Sequence, residues 1–290
     1  MNRQLHVTVV VDNTARNPDL LAEHGLCFWI EDGGHRLLFD TGQGAAVRAN
    51  AGTLGVPLEQ AEAIALSHGH YDHTGGLAEA WMTPAATPLY LHPAALAPRY
   101  RVSGGTAKEI SMPRPVRDLV AHHMTSLRYT NQPTEIAPGA WLTGYVPRRH
   151  PEEEEEPEPF FLYPSGQQRD PLMDDQALYL VTVTGVIVLL GCAHAGVINT
   201  LDYIRDLTGN APLRAVIGGM HLRAASAARL AWTVAQLQRL NPGMLVPAHC
   251  TGAPATEALA AAFGDRCRPC GAGATFDFAN GTASTTQKEK

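Results

Sequence analysis

The sequence predicts a layered α/β fold, and three patterns carry that prediction. Residues 5–91 read as short strands joined by tight turns, residues 177–278 as strands alternating with amphipathic helices, and between them 97–171 lacks sustained periodicity. The chain has 290 residues, 45% hydrophobic and 17% charged, which is enough apolar material for a large core. That composition excludes a disordered chain, a coiled coil and a disulfide-stapled mini-protein.

Element by element, residues 5–11 are β-rich, and 26–30 and 36–39 flank Glu31-Asp32-Gly33-Gly34 as a hairpin. Residues 63–66 form a short buried strand that runs into a polar, glycine-containing segment, and 89–91 are a further strand candidate. The middle is rich in proline and charge, and six of the 28 acidic residues fall within 152–158, a run expected to be a solvated loop. Regularity returns with a hairpin over 178–190 turning at Thr184-Gly185. Asn199 reads as the N-cap of a helix over 200–207, and 216–217 as a strand. A helix over 226–240 presents Leu230, Val234, Leu237 and Leu240 on one face and stops at Asn241-Pro242-Gly243. A strand at 244–246, a helix over 256–263 and a strand at 275–278 complete the pattern.

The net charge is −6, and it vanishes if the acidic run is set aside, so no basic field favours nucleic acid. Residues 1–11 lack the charged and apolar regions of a signal peptide, and the longest apolar run, 186–190, is far shorter than the ~20 residues of a membrane span. Five scattered cysteines give no disulfide framework, so a soluble, cytoplasmic protein with free thiols is expected. Cys27 reads as core, and Cys267-Arg268-Pro269-Cys270, lacking a second pair, as a loop coincidence rather than a zinc ribbon. The oligomeric state is left open.

The segment that carries chemistry is Ser67-His68-Gly69-His70-Tyr71-Asp72-His73-Thr74-Gly75-Gly76. Imidazoles two residues apart on an extended loop point the same way and can grip one cation, while Asp72 and His73 face a second position. Imidazole and carboxylate donors suit zinc, iron or manganese better than calcium or magnesium. One loop does not complete such a site, and the later half supplies histidines at strand ends: His194, His221 and His249, each beside Gly or Pro. Arg99, Arg101, Arg114 and Arg117 in the middle segment read as solvated loop residues, with bidentate phosphate binding as their functional alternative.

These motifs, with Phe39-Asp40-Thr41-Gly42 before them, resemble the metallo-β-lactamase superfamily. Gly191-Cys192-Ala193-His194-Ala195-Gly196, Gly218-Gly219-Met220-His221-Leu222 and Pro247-Ala248-His249-Cys250-Thr251-Gly252 are similar to one branch of it, the 7,8-dihydropterin-6-yl-methyl-4-(β-D-ribofuranosyl)aminobenzene 5'-phosphate synthases. The resemblance spans about 5–95 and 174–280 and implies a single αββα sandwich over 1–290, with 97–171 inserted as a lid. It further implies that His68, His70 and His194 hold one metal and Asp72, His73 and His249 a second, zinc being the expected ion and iron or manganese the alternatives. Two departures from the superfamily pattern stand out. Cys192 occupies the place of a bridging aspartate, as a thiolate ligand or a spectator, and Asp174-Asp175 stand where a histidine is common.

A metal pair in such a site acts as Lewis acid and as source of the nucleophile. The expected function is therefore a metal-dependent hydrolase or transferase acting on a small, phosphorylated or pterin-type molecule, with Asp72 and His221 as catalytic residues. A lactonase, thioesterase or phosphodiesterase on the same site, and a non-catalytic metal sensor, are the alternatives.

Overall fold

The computed structural model describes residues 4–154 and 159–279. Two sheets pack face to face. The first has seven strands in the order Thr275–Ala279, Gln4–Val11, Cys27–Asp32, His35–Phe39, Ala63–Ala65, Leu89–Leu91 and Leu127–Tyr129. The second has six, in the order Leu245–Ala248, Leu213–Gly219, Gly185–Leu190, Leu178–Thr182, Ala140–Leu142 and Thr134–Ala137.

The period-two side-chain pattern of each central strand dictates the layering. Val7, Val9, Leu37 and Phe39 of the first sheet meet Leu180, Ile187, Leu189 and Ile217 of the second in the inner core. The residues between them face outward. Val10, Leu38 and Ile64 pack under helices Val47–Leu54 and Arg114–His122. Val186, Val188 and Leu190 pack under Val197–Leu207, Ala227–Leu240 and Ala253–Phe263. The result is an αββα sandwich whose central strands are buried on both faces, as expected from their near-continuous apolar runs.

The described residues of 97–171 are more ordered than their composition indicates. Tyr100–Ser103, Thr106–Glu109 and Phe160–Phe161 form a separate three-stranded sheet, Leu127–Tyr129 extends the first sheet, and the Thr134–Ala137/Ala140–Leu142 hairpin extends the second. Strands of two to four residues are too short to display a period, which is why the sequence pattern concealed them.

Three local readings are corrected. The helix Val197–Leu207 begins at Gly196, not Asn199, and its first N–H groups donate to Glu153: Ile198 N–H to Oε1 at 2.9 Å and Asn199 N–H to Oε2 at 2.7 Å. Glu153 is thus buried against a helix start, where a carboxylate meets both free donors and the positive end of the dipole. It is not part of a solvated run; Glu155, Glu156 and Glu158 lie outside the described residues. Gly196 allows this approach, because its φ is +101° and a Cβ there would lie 2.2 Å from Glu153 Oε2. Asn199 instead accepts the N–H groups of Arg149 and His150. In Ala227–Leu240 the most buried line is Arg229, Thr233, Leu237 and Leu240, with Leu230 and Val234 only partly covered.

Arg99 is the second correction among the loop residues. It is 1% exposed, not solvated, and its guanidinium pairs with Asp170 at 2.6 Å and Asp174 at 2.5 Å. Asp174 also accepts the Gly69 N–H at 2.7 Å, so this buried group anchors the loop between His68 and His70. Arg99→Ala leaves two carboxylates buried without their cation, and a loss of about 3–5 kcal/mol of stability is expected in urea denaturation.

Candidate metal centre

The parallel strands His35–Phe39 and Ala63–Ala65 of one sheet, and Gly185–Leu190, Leu213–Gly219 and Leu245–Ala248 of the other, deliver the chemistry-bearing residues at their carboxyl ends. Asp40, Ser67 to His73, Cys192 to His194, His221 and His249 follow those strands directly. The local backbone is bent to do it. Among the described residues seven non-glycine positions have positive φ, and four of them are Asp40, Ala193, His221 and His249. Such a concentration of unfavourable conformations is characteristic of functional sites.

Of the sequence-predicted donors, His68, His194, His73 and His249 group around Cys192, Asp72 joins His249, and His70 meets His68 without joining a group of three. His68 Nε2 lies 2.9 Å from His70 Nδ1 and 3.3 Å from His194 Nε2. His73 Nε2 lies 3.2 Å from both His249 Nε2 and Cys192 Sγ, and Asp72 Oδ2 is 3.4 Å from His249 Nε2. His68, Cys192 and His194 form one trio able to hold a metal ion, and His73, Cys192 and His249 another, so Cys192 stands between the two groups. His24, Asp72 and His249 form a third.

These residues fit a metal. Separations of 3.2–3.4 Å are the edges of a tetrahedron with bonds of about 2.1 Å, the ordinary zinc–nitrogen length. Burial holds the pKa values of His68, His70 and His194 well below the usual histidine range, so these rings are neutral donors. His73 differs. Burial lowers its pKa, but the charges of Asp40 and Asp72 outweigh burial and push it up to about 9. His73 Nδ1–H donates to Asp40 Oδ2 at 2.7 Å, and Asp40 also accepts from the Ser67 N–H and hydroxyl, each at 2.7 Å. Such a carboxylate behind an imidazole fixes the ring so that Nε2 faces the ion. Burial pushes the Cys192 thiol up, so a cation is needed to make it a thiolate.

A pH dependence follows from the two kinds of histidine. Loading the position built on Asp72, His73 and His249 must expel the His73 proton, so its affinity should rise about tenfold per pH unit between the ordinary histidine range and about 9. In a Cys192→Ser variant, which takes the thiol proton out of the balance, loading at His68, His70 and His194 should be nearly flat across the same interval, since those rings carry no proton to lose. Chelator-competition titrations at pH 7 and 8.5 check this, and equal slopes for both equivalents would contradict it.

His221 lines the pocket over this cluster, its ring centroid 4.3 Å from that of His194, and belongs to none of the metal-competent trios. The pocket encloses about 690 Å³, part of it open to solvent. Arg101 also lines it, whereas Arg114 is exposed beside Asp118 and Arg117 pairs with Glu109. Asp175 accepts the Ala195 N–H, and burial, opposed by that bond, raises its pKa to about 6. Cys267 and Cys270 are free and belong to no trio, and Cys27 is buried core.

Sequence reasoning missed His24 and Cys250. His24 Nε2 lies 3.1 Å from Asp72 Oδ2, and Cys250 packs against Cys192, its thiol 3.5 Å from the Cys192 carbonyl oxygen. His24 is a lone histidine in an irregular loop with no motif around it. Cys250 could have been noticed, since it adjoins His249 in a quoted motif.

An αββα sandwich with paired histidine clusters along one edge defines a class, and the chain belongs to it: residues 21–249 match the profile of the metallo-β-lactamase superfamily. Among particular relatives, the chain is 28% identical over 258 residues to the 7,8-dihydropterin-6-methyl-4-(β-D-ribofuranosyl)-aminobenzene-5'-phosphate synthase of Methanocaldococcus jannaschii, covering 84% of this chain and 86% of that one. A second protein of that organism, of uncharacterized function, is 29% identical over 255 residues, covering 87% and 93%. The solved structure of Tm1679, described as a metal-dependent hydrolase of the β-lactamase superfamily, superposes with a TM-score of 0.80 at 26% identity, over 95% of this chain and 100% of that one.

Proposed function

We propose that this chain is a metal-dependent hydrolase or transferase acting on a small phosphorylated or pterin-type molecule, with one or two zinc ions as its metal. Iron and manganese are the other ions its donors suit. The observation that carries the reading is the pair of buried donor trios sharing Cys192 at the base of an open pocket. The synthase relative supports the substrate class, and the Tm1679 likeness the reaction class.

His68, His70 and His194 would hold one ion and Asp72, His73 and His249 the other, with Cys192, which lies within both donor groups, available to them as a thiolate ligand. A metal in this position supplies Lewis acidity and lowers the pKa of water toward ~7. The protein's own contributions are orientation and proton handling. Asp40 and Ser67 fix His73, Asp174 fixes the loop at Gly69, and Phe160 shields the histidines, its ring 4.8 Å from that of His70. His221 faces the same pocket, placed to give a proton to, or take one from, a substrate oxygen, a task suited to imidazole.

No helix among the described residues is long and apolar enough to cross a membrane. Five free thiols suit a reducing, cytoplasmic setting, and the absence of excess basic charge favours a small-molecule partner over nucleic acid. Elemental analysis after reconstitution with zinc, manganese or iron tests the reading, alongside a screen of phosphodiester, lactone and thioester substrates. One or two equivalents with turnover are expected, and below about a tenth of an equivalent the reading fails.

A further inference from the structure

His24 stands at the metal centre although it lies outside every sequence motif that points there. Its Nε2 is 3.1 Å from Asp72 Oδ2, and the same oxygen lies 3.4 Å from His249 Nε2 and 3.9 Å from His73 Nε2. The His73 and His249 nitrogens are in turn 3.2 Å apart. One carboxylate oxygen therefore faces three imidazole nitrogens. His24, Asp72 and His249 have the spacing of a metal-holding trio, with the His24 and His249 ring centroids 4.9 Å apart.

The loop that carries His24 is fixed on both sides of it. Before it, the Glu23 carboxylate accepts the N–H groups of Gln43, Gly44, Ala45 and Ala46 at 2.6–3.1 Å. The His24 carbonyl itself accepts from the Gln43 side-chain amide at 3.1 Å. After it, Gly25 passes so close to the Asp72 carbonyl that a Cβ would lie 2.4 Å from the oxygen, an approach only glycine allows. Asn13 then joins this loop to a metal ligand, because its Oδ1 accepts both the Gly25 N–H, at 3.2 Å, and His249 Nδ1–H, at 2.9 Å. The bond to Nδ1 also turns His249 Nε2 toward the centre. An idle surface side chain needs no such anchoring.

Two roles fit the 3.1 Å separation from Asp72: His24 donates a hydrogen bond to the carboxylate, or both give a donor atom to one ion. Spacing and exposure favour the second. The separations His24–Asp72, Asp72–His249 and His249–His73, at 3.1, 3.4 and 3.2 Å, are successive edges of a tetrahedron with bonds of about 2.1 Å. The His73, His249 and Asp72 side chains are 0%, 1% and 10% exposed, and that of His24 is 42% exposed, so His24 is the donor on the solvent side. We propose that His24 is a further protein ligand of the ion at Asp72, His73 and His249, the outermost of the set and the last barrier to release of that ion. The proposal rests on this position taking a transition metal.

NMR of the full chain loaded with a spin-active cadmium isotope, as a surrogate for zinc, tests this. A scalar coupling between cadmium and the His24 ring is expected, and such a coupling arises only through a bond. Its absence, with couplings to His73 and His249 present, would overturn the proposal. The coupling is read on the unaltered chain, so the test stands even if a variant fails to fold. Release of zinc to a chelator gives a second readout. His24→Ala and His24→Gln should each lose one equivalent about tenfold faster than the parent or more, with the other equivalent unchanged. A parental rate in His24→Gln would overturn the proposal, because glutamine keeps an N–H for Asp72 and so replaces a hydrogen bond but not a ligand. A chain that takes up no metal at all would sink the metal-centre reading and this proposal with it. Coupling of His24 to cadmium, without turnover of any substrate in the screen, would sink the hydrolase reading and leave the ligand standing.

Discussion

His70→Ala is expected to cost the protein bound metal and turnover together. Its Nδ1 lies 2.9 Å from His68 Nε2, so the two rings present adjacent donors, and one cannot hold an ion at the affinity of the pair. The stability effect should change sign with metal. A ligand present at a hundred times its dissociation constant stabilises the native state by about 2.7 kcal/mol, and in a chain of this size losing that much lowers Tm by roughly 4–5 °C. In chelator the variant should melt at or above the parent, because the parent then carries His70 Nε2 buried without a partner, a cost the variant does not bear. Thermal melts of both proteins with and without zinc measure the contrast. Parallel losses in the two conditions would show that His70 is packing and not a ligand.

His221→Ala should do the opposite, leaving metal stoichiometry intact while turnover falls about 10²–10⁴-fold, the usual loss for a general acid or base. His221 lines the pocket, and the proposed ligand sets are complete without it, so removing it should take nothing from the ions. Its φ of +48° makes alanine an awkward replacement, and His221→Asn, a residue more tolerant of that conformation, is the companion variant. Elemental analysis of both, beside steady-state rates, separates the roles. Loss of one metal equivalent in both variants would move His221 among the ligands.

Much of the centre could be read from the sequence because its donors are local or punctuated. His68 to His73 lie in one loop, and His194, His221 and His249 each follow an apolar run that strand rules recognise. The fold was legible for the same reason: two-faced apolar strands flanked by glycine and asparagine turns leave few arrangements open. What escaped depends on contacts between residues remote in sequence. Nothing near Arg99 announces Asp170 or Asp174, about 70 positions away, and without them an arginine in a proline-rich stretch reads as solvated. Glu153 looks like one member of an acidic run until the helix at Val197 turns its free N–H groups toward it. The strand Phe160–Phe161 is invisible because it is only two residues long and lies far along the chain from the hairpin it joins.

The order of the first sheet has a consequence for how the molecule is made. Gln4–Val11 lies between Cys27–Asp32 and Thr275–Ala279, a partner made far later than itself. During translation one edge of that apolar strand therefore waits, with its N–H and C=O groups unmatched, for more than 260 residues to follow. An unfilled sheet edge of this kind invites pairing with a neighbouring nascent chain. Slow elongation, or a ribosome stalled before residue 275, would thus expose an adhesive strand well after the metal ligands up to His249 had been made.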